Sequence, residues 1–142
     1  MYHHRKGDGA VDLVSIRMIT DDLERVVQFY ERVTGVAAVR YTPEFAELIM
    51  PSFTLAIGHT NTTQLFGEDS ARPADNHTVI IEFKVDDVDG EYERLRPMVT
   101  DWVQAPTTMP WGNRSILFRD PDGNLVNYFT PVTPEAIAKF GS

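Results

Sequence analysis

Residues 111–131 read WGNRSILFRDPDGNLVNYFTP, and the rest of the chain is organised around this stretch. Two β-rich runs, Ser115–Phe118 and Leu125–Phe129, flank Asp120-Pro121-Asp122-Gly123. An aspartate at the first turn position accepts hydrogen bonds from the backbone ahead of it, and a proline presets the next φ. A glycine then takes the left-handed conformation that closes the loop. The stretch therefore reads as a β-hairpin. Asn127 interrupts its return strand, and alternation puts it on the same face as Leu125 and Phe129. A polar residue there marks either a wet sheet face or the lining of a pocket.

Outward from the hairpin, the chain repeats itself. Leu13–Ile19 reads as a strand, and Thr20-Asp21-Asp22 ends it and opens a helix. Asp21 as N-cap with Glu24 three residues on has the form of a capping box. Leu23, Val26, Val27 and Tyr30 follow at helical spacing up to Gly35, a natural stop. Strands are expected at Ala37–Tyr41, Phe45–Met50 and Phe53–Gly58, with a turn at Pro51-Ser52. Residues 59–76 have the composition of a linker. Then comes a strand at Thr78–Val85, a helix capped at Asp86-Asp87 with Val88, Tyr92 and Leu95 as its buried stripe, and strands near Asp101–Ala105, Arg114–Arg119 and Leu125–Thr130. Carrying Asp21 onto Asp86, an offset of 65 residues, sets Ile16 on Ile81, Met18 on Phe83, Leu23 on Val88, Val27 on Tyr92 and Tyr30 on Leu95. The burial pattern and the cap recur where identity does not, which indicates a duplicated unit.

Composition bounds the function. A chain of 142 residues suits one domain or two small halves with a shared core. Hydrophobic residues at 42% and charged residues at 24% are those of an ordinary globular protein. Without cysteine there is no disulfide, thiolate catalysis or cysteine–metal site. No apolar run approaches the roughly 20 residues of a membrane helix. No signal-peptide pattern opens the chain, so a cytoplasmic protein is the expectation. A net charge of −8 argues against nucleic-acid and anionic-membrane partners. Residues 1–11 read as a flexible arm, in which His3 and His4 lack the further anchor a firm metal site needs. In 132–142, Thr133-Pro134-Glu135 starts a short helix whose Ile137 and Phe140 can pack on the body or on a second subunit.

The doubled strand–helix–three-strand unit, FYERVTG (Phe29–Gly35) and PWGNRSILFRDPDGNLV (Pro110–Val126) resemble the glyoxalase, bleomycin-resistance and extradiol-dioxygenase superfamily, also called vicinal oxygen chelate. The resemblance implies an α+β fold over residues 12–131. Two tandem βαβββ units, 12–58 and 77–131, would form an incomplete eight-stranded barrel-like sheet with helices outside and a ligand cleft on its concave face. It also implies a homodimer. Enzymes of the superfamily hold a divalent metal there, on His, Gln or Glu from the first and last strands of each unit. The matching positions in this chain are Ser15, Ile80, Asn127 and, by a looser alignment, Leu55.

Transition-metal sites need three or four imidazole or carboxylate ligands at about 2.0–2.2 Å, which these four residues cannot provide. His77, three residues before Ile80, falls on the opposite face about 10 Å along the strand. The expectation is therefore no metal and no cofactor. In this register the cleft is lined by Ser15, Arg17, Ile19, Ile80, Glu82, Lys84, Leu125, Asn127 and Phe129. Arg17 and Glu82 occupy equivalent positions, either as an ion pair across the pseudo-twofold or as anchors for a ligand. Trp102, Met109 and Trp111 lie in or beside the proline-broken segment 104–110, which is able to roof the cleft. Candidate ligand-binding residues are thus Arg17, Glu82, Lys84, Asn127, Phe129 and Trp111. The ligand they suit is small and amphipathic, either a cation or a carboxylate. A metal-free binding protein of the bleomycin-resistance type is the first reading. The alternatives are a metal-dependent lyase, isomerase or dioxygenase, and an enzyme that works without metal through Arg17, Glu82 or Asn127.

Overall fold

The computed structural model describes residues 11–141, so all but the last residue of the arm expected over residues 1–11 lies outside them. The first half comprises β1 (Ser15–Thr20), α1 (Leu23–Thr34), β2 (Val39–Thr42), β3 (Phe45–Ile49) and β4 (Thr54–His59). The second comprises β5 (Ile80–Lys84), α2 (Val88–Leu95), β6 (Trp102–Thr108), β7 (Asn113–Arg119) and β8 (Leu125–Pro131), followed by α3 (Pro134–Phe140). Each half is a four-stranded mixed sheet of one topology, in orders β1-β4-β3-β2 and β5-β8-β7-β6. In both, the first strand runs parallel to the last and the other pairs are antiparallel. The fold is α+β, built of two tandem βαβββ units. Its eight strands form two open sheets, not a closed barrel.

The local signals explain most elements. Asp120 O accepts from Gly123 N at 3.0 Å, Asp120 Oδ1 takes the amides of Asp122 and Asn124, and Gly123 has φ +85°. The cap of α1 sits one residue later than the capping-box reading, while that of α2 falls within the expected Asp86-Asp87 pair. Asp22, not Asp21, receives Arg25 N, just as Asp87 receives Gly90 N. Asp21 instead takes the Thr60 hydroxyl, a partner far along the chain. Gly35 closes α1 in the left-handed conformation.

Two expectations fail for tertiary reasons. The linker opens with a 3-10 helix, Thr60–Phe66, whose Thr63 is buried. And β6 runs through Pro106 to Thr108 where a roofing loop was expected. It is an edge strand with register shifts on either side of Gln104, where a missing N–H is tolerated.

The helix-facing sides of both sheets meet in one core. Met18, Leu48 and Ile57 of the first half pack with Ile116, Phe118, Val126 and Tyr128 of the second around the α1 residues Val26, Val27, Tyr30 and Val33. Polar ties lock the halves. Tyr30 Oη donates to Asp120 Oδ2 at 2.7 Å, Tyr128 Oη to Val33 O at 2.6 Å, and an Arg94 Nη to Val33 O at 2.7 Å. Trp102 belongs to this side, stacked edge-on against Tyr92 and Phe118, and does not roof the cleft. Among the described residues no helix is long and apolar enough to cross a membrane.

Candidate functional site

The opposite, concave side of each sheet is set by strand register. Glu82 pairs with Asn127 and Asn127 with Leu117, next to Gln104 on β6, so these four cross the second sheet in one row. Phe129 and Ser115 form the next row. On the first sheet Arg17, Ala56 and Glu47 make the corresponding row. Asn127 therefore has Ala56 as its first-half counterpart. Leu55, expected there, points into the core at 4% exposure, because the spacing from helix to last strand differs between the halves.

Helical segments lie over both concave faces. On the first sheet the 3-10 helix brings Phe66 over Arg17, whose guanidinium carbon stands 5.2 Å from that ring and 5.8 Å from Phe45. On the second, α3 lays Phe140 edge-on against Phe129, with centroids 5.0 Å apart, and buries Ala136. Gly112 makes this docking possible. With φ +95° it presents its carbonyl to the amides of Val132 and Thr133, and a Cβ there would collide with the Thr133 hydroxyl.

Beneath α3 lies a hollow of about 330 Å³, lined by Glu82, Trp111, Asn113, Phe129, Glu135, Ala136, Lys139 and Phe140. Glu82 Oε2 accepts from Asn127 Nδ2 at 2.9 Å. Among the described residues three buried side-chain oxygens have no hydrogen-bond partner: Oε1 of Gln104 and Oδ1 of Asn113 and Asn127. All three residues belong to the second sheet, Gln104 and Asn127 in one row of its concave face and Asn113 in the hollow. Native proteins seldom leave such acceptors dry, because each costs about 1–3 kcal/mol.

The predicted residues are thus partly assembled. Glu82, Asn127, Phe129 and Trp111 meet at one place, with Trp111 at its rim and 68% exposed. Arg17 belongs to the other sheet, and no ion pair joins it to Glu82 among the described residues. Lys84 opens onto a second, larger hollow of about 520 Å³ along the β5 edge. That one is walled mainly by the apolar helix-facing side: Ile16, Leu55, Phe83 and Tyr128. Asn113, Glu135, Lys139 and Phe140 were not foreseen as lining. Phe140 alone carried a signal, as half of an apolar pair on the last helix.

The metal positions of the superfamily, corrected for register, hold Ser15, Ala56, Ile80 and Asn127. None is an imidazole or a carboxylate, and one amide oxygen does not make a transition-metal site. Among the described residues no group of three or more His, Asp or Glu side chains converges as a metal would require. These residues do not fit the family's metal.

The glyoxalase/bleomycin resistance protein/dioxygenase superfamily model matches residues 12–128. No curated protein matches the chain. Among solved structures, a glyoxalase/bleomycin resistance protein/dioxygenase from Nocardioides is 25% identical, with a TM-score of 0.74 over 91% of this chain and 89% of that one. A glyoxalase-related enzyme from Fulvimarina pelagi is 23% identical, with a TM-score of 0.72 over 84% and 87%. A family enzyme from Burkholderia phytofirmans is 20% identical, with a TM-score of 0.70 over 86% and 100%. With the family model spanning both βαβββ units, the chain belongs to the glyoxalase/bleomycin resistance protein/dioxygenase superfamily.

Proposed function

We propose that the chain is a metal-free small-molecule-binding protein of the bleomycin-resistance type, which holds an amphipathic ligand on its concave side. One observation carries this reading. The positions that would ligate a metal hold Ser15, Ala56, Ile80 and Asn127, while the same side has a hollow walled by Trp111, Phe129 and Phe140. Glu82, Asn127, Phe129 and Trp111 form the polar and stacking wall. Arg17 and Lys84 are further anchors for a ligand that extends beyond the hollow. A second copy covers the remaining concave surface of the first sheet, where Val39, Tyr41 and Ile49 are 43%, 56% and 53% exposed.

A thermal-shift screen of chelator-treated protein against planar amphipathic compounds tests the reading. Stabilisation without added metal, weakened in Trp111→Ala, is expected. Stabilisation that appears only when a divalent metal is restored would overturn it.

A further inference from the structure

We propose that α3 is a lid: docked over the second sheet in the main state of the free protein, it releases from Thr133 onward and opens the hollow beneath it. That this opening admits a ligand rests on the reading of the concave side as a ligand site. The opening itself does not.

The first observation is what the lid covers. On the concave side of β7 and β8, Asn113, Ser115 and Phe129 are only 7%, 4% and 6% exposed, and α3 is the helix laid over that end of the sheet. Closure thus takes Asn113 out of water, and its Oδ1 finds no donor among the described residues. Covering Phe129 favours the closed state and stranding the Asn113 amide opposes it. The closed state is therefore held by a small difference. Opening returns the amide to water, which satisfies it.

The second is how the lid is held. The 3-10 helix over the first sheet is latched to the body, with Thr60 Oγ1 donating to Asp21 Oδ1 and Asn61 Nδ2 to Glu44 Oε2 at 2.7 Å. The cover on the second sheet has no such latch. Ala136 N and Ile137 N bond to Thr133, and Gly141 N bonds to Ile137 O. Among the described residues no side-chain hydrogen bond ties α3 to the strands beneath it. Its grip is apolar and narrow: Ala136, 4% exposed, seats over Gly112, and Phe140 meets Phe129 edge-on at 5.0 Å. Ile137 and Phe140 remain 39% and 38% exposed even when docked.

The third is where the movement stops. Val132 N and Thr133 N both donate to Gly112 O, at 2.9 and 3.3 Å, so the chain stays tied to the start of β7 up to the N-cap of α3. Beyond that point seven residues make a helix too short to persist alone in water. Release therefore unwinds it, and its amides then exchange with solvent.

The test is native-state hydrogen exchange, read by NMR on metal-free and ligand-free protein. The amides of Ile137 and Gly141 should be protected only about 10- to 1000-fold, far less than those of β7 and β8, which open with the whole fold. Asn113→Leu removes the stranded amide while keeping a side chain of similar size. It should raise protection in α3 about tenfold. Asn113→Ala should act in the same direction and stands in if leucine does not fit. Phe140→Ala removes the grip and should lower protection, with circular dichroism confirming the fold of each variant. Protection in α3 equal to that of β8 overturns the lid, because the helix then opens only with the whole molecule. No protection at all overturns the docked state. Protection unchanged on replacing Asn113 overturns the cause assigned to the opening. All of this is read without ligand, so failure of the metal-free binding reading shows separately, in the thermal-shift screen.

Discussion

Asp120 is the residue on which the two halves depend most directly. Its Oδ1 shapes the hairpin turn through the amides of Asp122 and Asn124, and its Oδ2 receives the Tyr30 hydroxyl from the first half. Burial, and then the adjacent Asp120 carboxylate, push the Tyr30 hydroxyl well above the ordinary phenol range. Burial does the same to Tyr128. Below about pH 10 the folded and unfolded states both keep these protons, and the stabilisation is whole. Above it the unfolded chain ionises first, so stability falls as pH rises, by up to about 1.4 kcal/mol per pH unit for each tyrosine. Tyr30→Phe should flatten that alkaline slope and cost about 1.5–3 kcal/mol at neutral pH, read from urea unfolding across pH 7 to about pH 11. Asn127 behaves oppositely. Its orphaned Oδ1 is a burden in the free protein, and its one bond goes to an exposed Glu82 that water can satisfy. Asn127→Leu should leave the melting temperature unchanged or higher while weakening ligand binding, the usual trade of function for stability. A clear loss of stability would mean that the amide is already satisfied.

At the scale of elements, α3 is the part that converts a sheet face into a hollow, and Gly112 is its seat. Gly112→Ala would need a strained φ and a displaced Thr133, the N-cap of α3. It should cost about 1–3 kcal/mol and free Phe140 from Phe129, seen as lost ring-current shifts and faster proteolysis at the C-terminal helix. This element also shows where sequence reading stops. The hairpin, the helix stop at Gly35 and the duplicated caps are legible because each is written in residues that touch their neighbours in the chain. The choice of Asp22 over Asp21 is not, because Asp21 is drawn off by Thr60. Neither is the register that exchanges Leu55 for Ala56, which only strand pairing fixes. Pro106 misleads because proline breaks a central strand but not a bulged edge. The second sheet's contribution to the site was visible through Glu82, Asn127, Phe129 and Trp111. Asn113 and Glu135 were not, since they share the hollow only when α3, which carries Glu135, folds back over Gly112.

For the whole molecule, two units repeat one topology yet share one core, so neither is expected to unfold alone. Both tryptophans, Trp102 and Trp111, belong to the second half, and fluorescence therefore reports on that half. Far-ultraviolet circular dichroism reports on both. The two should trace one coincident urea transition, and separated midpoints would show that Tyr30–Asp120 and Tyr128–Val33 do not couple the units. The claim that matters most is that the concave side binds a small molecule without a metal. It is tested most directly by elemental analysis of untagged protein in which His3 and His4 are replaced by alanine, so that any metal counted must come from elsewhere in the chain. The account predicts no more than traces of zinc, nickel, iron or manganese. A stoichiometric metal that disappears with Glu82→Gln or Asn127→Leu would contradict it.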